Sequence, residues 1–380
     1  MSEPAAHAEA AAPVARAGRG TVLVRLLPKL AISLALGGLF AWLAARGGVP
    51  LVPDSAALQR VNPWTPLLYL LSLLLVHFFR ASRWRFLIAP VRRVPMRDVL
   101  LLNWIGFFAI FALPLRLGEF ARPALTKMRH GIPISVGLGT IAVERVFDGL
   151  ITSLCVAWAL LVLPRVPTQD PIAMHLPIYG YAALALFTAA FGALGMFLWQ
   201  RDLAMRLTRA TLGVVSPRLA ETLAGKVGNV ADGIRSIGDL RLTLGFLIES
   251  VLYWGCNAFG VWLLGVGCGL PMNLGHAAAV MGVLAIGILL PTGPGLFGNF
   301  QLAVSAALRL YFAESLVGAQ GAVFIFLLYV MQSSVMVLAG AIPLYALRLR
   351  LSDLLALPIE GDPRAPGARA NSTERATPGP

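Results

Sequence analysis

Long apolar runs separated by short basic segments dominate the pattern of this chain. Stretches near the 20 residues that a helix needs to cross a hydrocarbon core about 30 Å thick occupy 26–45, 66–79 with an extension into "RASRWRFLI", 134–163, 177–199, 242–266 and 322–347. These predict six crossings. Two more apolar regions, 99–114 and 276–291, are broken by Pro and Gly, and each leads into a second, shorter helical stretch. Backbone freed by such breaks is tolerated at membrane depth only where protein or a wet cavity surrounds it, so the pattern predicts two re-entrant broken-helix hairpins. The fold class expected is an all-α polytopic membrane protein. Between the halves, Leu219, Leu223, Val227, Val230, Ile234 and Ile237 recur at steps of three and four, with Arg218, Glu221, Lys226 and Arg235 elsewhere on the wheel. Within 201–240 this predicts an amphipathic helix, lying on the interface or packed as a connector.

Composition agrees with that class: 58% of the 380 residues are hydrophobic and only 13% charged, against about 25% charged in soluble domains. The net charge of +13 would suggest nucleic acid in a soluble chain. Here the basic residues gather between apolar runs, so lipid headgroups are the anionic partner expected and nucleic acid is not. With six crossings and two hairpins, one side collects nearly all the Lys and Arg, including Arg80, Arg83, Arg85, Arg92, Arg93, Arg97, Lys127 and Arg129. The other side holds only Arg46, Arg60, Arg165 and Arg309. By the positive-inside bias both termini are expected on the cytoplasmic side. Residues 1–24 and 358–380 lack apolar period and read as disordered, leaving 25–350 as the membrane domain. Cys155, Cys256 and Cys268 imply neither a disulfide framework nor a metal site.

An internal echo gives the domain a plan. "PLRLGEF" at 114–120 and "PGLFGNF" at 294–300 share Pro-x-x-x-Gly-(Glu/Asn)-Phe at an offset of 180 residues, and each follows a broken apolar run. Two repeat halves, 65–165 and 242–347, joined by the span 177–199 and the segment 201–240, would then have opposite orientation. Transporters built on that plan place their substrate site where broken helices meet near the midplane. Pro114, Gly118, Pro291, Gly293, Pro294, Gly295 and Gly298 are the residues expected to form the hairpins.

Charges inside apolar spans are costly and face the protein interior by default. Arg116, Glu119 and Arg122 share a face at steps of three. In "VERVFDGL", Glu144 and Asp148 share a face at i,i+4, and Arg145 is spaced to pair with Asp148 at i,i+3. Asn299 occupies the place of Glu119 in the second hairpin. Glu249 reads as a lone carboxylate with Asn257 two turns away, and Arg80, Arg83 and Arg85 read as interfacial anchors that snorkel. Each pair could equally be a strut. Without an HExxH, GxSxG, Walker loop or clustered His and Cys, no catalytic residue, cofactor or metal is expected, and opposed Arg and carboxylate groups suit binding of a zwitterionic or phosphate-bearing headgroup.

The stretches "LPLRLGEFARPAL", "GIPISVGLGTIAVERVFDGL" and "PTGPGLFGNFQLAV" resemble the membrane region of lysylphosphatidylglycerol synthases, a flippase-like family that includes stand-alone bacterial and archaeal members. The resemblance implies an integral protein of the cytoplasmic membrane that moves or presents a lipid, either aminoacylated phosphatidylglycerol or a polyprenyl-phosphate-linked sugar. The synthases carry a soluble aminoacyl-transferase domain after the membrane region, whereas only a short tail follows Leu357 here, so an enzyme is not expected. A frequent acidic residue of the second hairpin is Asn299 in this chain. The leading expectation is a lipid translocase in which Arg116 and Arg122 hold a phosphate while Glu119 and Glu144 or Asp148 hold an ammonium or sugar hydroxyl. The alternatives are a lipid-binding accessory subunit of a partner glycosyltransferase or aminoacyl-transferase, and a small-solute or ion transporter.

Overall fold

The computed structural model describes residues 19–46, 52–113, 118–199, 239–289 and 293–347. Among them the chain is helical throughout, with no strand. In order it forms α1 (Arg19–Arg46), α2 (Ser55–Gln59), α3 (Trp64–Ser82), α4 (Trp84–Ile88), α5 (Met96–Ala112), α6 (Ala121–His130), α7 (Ile134–Val162) and α8 (Pro171–Trp199). Beyond residue 239 follow α9 (Leu240–Gly267), α10 (Leu274–Gly287), α11 (Asn299–Tyr311) and, after a short helical lead-in, α12 (Ala322–Ala346). Among the described residues five helical stretches are long and apolar enough to cross a membrane: Trp64–Ile88, Ile134–Val162, Pro171–Met196, Leu240–Gly267 and Glu314–Ala346. α1 adds 28 residues with an apolar segment at Leu34–Leu43. The pairs α5/α6 and α10/α11 have 17, 10, 14 and 13 residues. At about 1.5 Å per residue none reaches 30 Å, and within each pair the two helices pack on each other.

Local chemistry sets the boundaries. Pro95 and Pro133 precede α5 and α7, and Gly131, at φ 65°, closes α6 in the left-handed region that glycine tolerates. Asn273 and His276 form a reciprocal cap on α10, at 3.0 and 3.2 Å. α8 begins six residues earlier than the apolar pattern indicates. Asp170 accepts from the Ala173 amide at 2.8 Å and Pro171 opens the first turn, so Pro177 lies inside the helix. The expected amphipathic helix falls mainly on 201–238, outside the described residues, as do 1–18 and 358–380 of the terminal segments expected to be disordered; the remaining 19–24 are helical and open α1.

Packing pairs elements across the chain. α3 lies along α9, α5 along α12, and α10 along α7. Small residues allow the close approach: Gly260 faces Ser72 and Tyr69, Gly340 faces Phe108 and Trp104, and Gly282 faces Thr152 and Val156. Shifting α3, α5, α6 and α7 by 180 residues lands on α9, α10, α11 and the stretch ending in α12. Each broken helix thus packs on the long span of the other half, the pairing that exchanging the two halves would reproduce. The main core runs through this arrangement, with Tyr69, Val156, Leu264, Val280, Val304 and Phe324 among its buried members.

Both turns are tightly built. A Cβ at Gly118 would lie 2.0 Å from the backbone of Ala109, so only glycine fits where residues 118–120 lead into α6. Pro114 and Arg116 lie outside the described residues. In the second turn Gly295 and Gly298 have φ of 74° and 84°. Tyr329 donates to the Gly295 carbonyl at 3.1 Å, and Asn299 to the Gly287 carbonyl at 2.7 Å. α1 crosses this turn with Gly37 against Gly293 and Ala41 against Gly298. Pro294 opens the short 3-10 turn, and Pro291 is outside the described residues. Phe111, near the end of α5, lies against Gly295, so the first hairpin touches the turn of the second.

Candidate functional site

The charged residues converge where α3, α5, α6, α7 and α9 meet. Glu144 and Asp148 lie 10 and 14 residues into α7, about 15 and 21 Å along its axis, which is mid-depth for a helix of this length. Their shared face is real, but their partners come from elsewhere. Asp148 receives both terminal nitrogens of Arg83 at 2.7 Å and the Trp254 indole at 3.0 Å. Arg83 is 1% exposed, also donates to Ser250 at 3.2 Å, and lies over the Tyr253 ring at 4.7 Å. Glu144 is held by the fork of Arg122. The same guanidinium donates to Asn103 at 2.5 Å, and Asn103 is fixed in turn by its bond to the Val99 carbonyl at 2.8 Å. Trp84 lies against Arg122 at 5.2 Å and donates to Thr140 at 2.9 Å.

Three expectations are corrected. The local Arg145–Asp148 pair does not form: both carboxylate oxygens are engaged by the Arg83 fork, and Oδ1 also by Trp254. Arg83 is no snorkelling anchor but one of the most buried side chains, and only Arg85 in that trio has a 41% exposed side chain. Glu249 is not alone: Arg85 reaches it at 2.6 Å and Ser82 donates to it. These forked pairs each tie two or three helices together. Removing one partner of such a pair leaves a buried charge unmatched, at about 3–5 kcal/mol.

Two cations remain. Arg145 lines a recess with Gly106, Phe107, Ile110, Gly118, Glu119, Arg122 and Ile141, and its Nε is buried with no hydrogen-bond partner. Arg80 sits 4.1 Å over the Phe107 ring, within electrostatic range of Arg145, Arg83 and Asp148. Among the described residues neither arginine forms an ion pair. An unmatched arginine at bilayer depth costs about 2.5–3.5 kcal/mol on insertion scales, a strain toward anions built into the site. The recess is narrow, with room of about 10 Å³.

The two forked pairs and the two remaining arginines belong to one half, with α9 contributing from the other. At the positions 180 residues after Arg80, Arg83, Arg122, Glu144, Arg145 and Asp148 stand Gly260, Leu263, Leu302, Phe324, Ile325 and Leu328. Asn299, counterpart of Glu119, is 4% exposed and spent on stitching α10 to α11. Of the residues the spacing singles out, Arg122, Glu144, Arg145, Asp148 and Glu119 are brought together. Asn299 is not among them, and Arg116 is outside the described residues. Sequence reasoning missed Arg80 and Arg83 as interior residues. The available signal was that two carboxylates on one helix face need two cations from other helices.

The model of the family described as the lysylphosphatidylglycerol synthase TM region matches residues 29–341. The chain belongs to this family. The match spans α1 to most of α12 and contains both hairpins and every interior charge described above. It relates this integral membrane protein to the modification or translocation of membrane lipids. No curated protein and no solved structure matches the chain.

Proposed function

We propose that this member of the lysylphosphatidylglycerol synthase TM-region family is a lipid translocase that passes a phosphate-bearing headgroup through the charged junction of α3, α5, α6, α7 and α9. The observation that carries the reading is that, among the described residues, Arg80 and Arg145 stand inside the junction in addition to the two paired arginines, in a chain whose family handles lipids. Charges at that depth are stabilised by a ligand or a wet path. The back-folded pairs α5/α6 and α10/α11 support a re-entrant arrangement in which the two hairpins enter from opposite faces and meet at Phe111 and Gly295. With both termini cytoplasmic, the charged site opens first toward the basic side, where anionic lipids are attracted.

The roles differ from those that spacing alone would assign. Arg83 and Arg122 hold the scaffold through Asp148 and Glu144, and the headgroup is met by the arginines left over. The test is reconstitution of the purified full chain into vesicles with labelled phospholipids and polyprenyl phosphate in the inner leaflet, with loss of label followed at the outer face. Protein-dependent, headgroup-selective movement supports the proposal. Selective binding without movement would favour an accessory subunit for a partner transferase. Uptake of small solutes that lipid headgroups do not compete with would assign a different class of transporter.

A further inference from the structure

We infer that Arg80 and Arg145 together form a receptor for the phosphate of a net-anionic lipid, so that the substrate carries phosphate without an ammonium group and is not an aminoacylated lipid. The inference rests on the headgroup site proposed above and is decided by how the charges there are already spent. Asp148 accepts from Arg83 and Trp254, Glu144 from Arg122, and Glu249 from Arg85 and Ser82. Glu119, on the recess wall, is engaged as well. A headgroup ammonium would have to displace a guanidinium from Asp148, Glu144 or Glu249, or the existing partner of Glu119.

An anion displaces nothing. Arg145 and Arg80 form no ion pair or side-chain hydrogen bond among the described residues, and the Arg145 Nε is buried without a partner. Phe107 connects the two: its ring lines the recess beside Arg145 and supports the Arg80 guanidinium at 4.1 Å. A planar fork of N–H donors matches phosphate oxygens two at a time, and two such forks, one over the Phe107 ring and one on the recess that Phe107 also lines, outline a phosphate site whose acidic neighbours already have partners. Because the present recess admits only a water-sized body, occupancy requires it to widen.

The test uses the full chain in phosphatidylcholine nanodiscs, with fluorescent phosphatidylglycerol, lysylphosphatidylglycerol and polyprenyl phosphate as probes and energy transfer from the protein's tryptophans as readout. Arg80→Gln, Arg145→Gln and Arg83→Gln are compared with wild type, and thermal unfolding is measured on each. The two anionic probes bind saturably, lysylphosphatidylglycerol binds at least about tenfold more weakly, and Arg80→Gln and Arg145→Gln each weaken anionic binding roughly tenfold or more. Both variants melt at or above the wild-type temperature, since each removes an unmatched charge, whereas Arg83→Gln melts below it. Equal or tighter binding of lysylphosphatidylglycerol, unchanged binding in the variants, or no binding of any probe overturns the assignment. So does destabilisation of Arg145→Gln to the level of Arg83→Gln, which makes it a strut. Displacement by glycerol phosphate at concentrations that match the lipid's affinity would assign the site to a soluble phosphate ester. Vesicle flipping is assayed in parallel: anionic lipid bound but not moved removes the translocase reading and leaves this one, and movement of the lysyl lipid does the reverse.

Discussion

At the level of single residues, similar arginines in one apolar setting have opposite consequences for stability. Arg122→Gln strands Glu144 and Arg83→Gln strands Asp148, so each variant should lose about 3–5 kcal/mol, seen as a lower melting temperature in detergent. A conservative Asp148→Asn exchange should also destabilise, because it leaves the 1%-exposed Arg83 without its counter-ion. An unchanged melting temperature in all three would show that these pairs are not struts. The carboxylates were legible because Glu144 and Asp148 stand i,i+4 in the middle of an apolar run, where no interface is near. Arg83 was not, since it sits where a span ends and snorkelling explains an arginine at lower cost. Only the tertiary packing of α7 and α9 onto that end turns it inward. The i,i+3 spacing of Arg145 and Asp148 misled for a related reason: a fork from another helix meets both carboxylate oxygens at once, which outcompetes a pair along one helix.

At the level of elements, the two turns depend on glycines that leave no room. Gly118→Ala places a methyl group 2.0 Å from the Ala109 backbone, and Gly298→Ala places one 2.5 Å from the Ala41 amide at a φ of 84°. Each should cost at least about 1–3 kcal/mol by thermal melting. Gly192→Ala, with nothing within 4 Å of its added carbon, should be neutral or stabilise α8 by up to about 1 kcal/mol. Equal effects at all three would contradict the packing described here. Two spans were legible almost to the residue because length and hydropathy fix them: 134–163 became Ile134–Val162 and 242–266 became Leu240–Gly267, whereas α1 begins at Arg19, seven residues before the apolar run at 26. The start of α8 was not, because a Pro within an apolar run looks like a boundary unless the Asp170 cap upstream is weighed against it. The role of α1 in bracing the second turn left no pattern in the sequence, as contact between Gly37 and Gly293 depends on where two distant segments fold.

For the whole molecule, a bundle whose outer surface carries Leu71, Leu161, Ile178, Leu186, Val251 and Ile342, all more than half exposed, is covered by hydrocarbon rather than water. The proposed topology puts the loop before α5 and the loop before α8 on opposite faces. In a chain lacking Cys155, Cys256 and Cys268, Val91→Cys and Gln169→Cys should therefore react with an impermeant maleimide from opposite sides of a sealed vesicle, and labelling from one side would contradict it. Family membership and the helical fold could be read from quoted motifs and apolar runs. The asymmetry of the site could not: the repeated Pro and Gly pattern suggests two equivalent halves, whereas both forked Arg–carboxylate pairs stand in the first, with α9 of the second half adding Ser250, Trp254 and Glu249 around them. The central claim is that this cluster carries an anionic lipid headgroup, and its most direct test is phosphatidylglycerol flipping in proteoliposomes by wild type and by the Arg80→Gln/Arg145→Gln double variant at matched folding. Selective flipping that falls by an order of magnitude or more in the double variant is the result predicted; flipping that the double variant retains at the wild-type rate would contradict it.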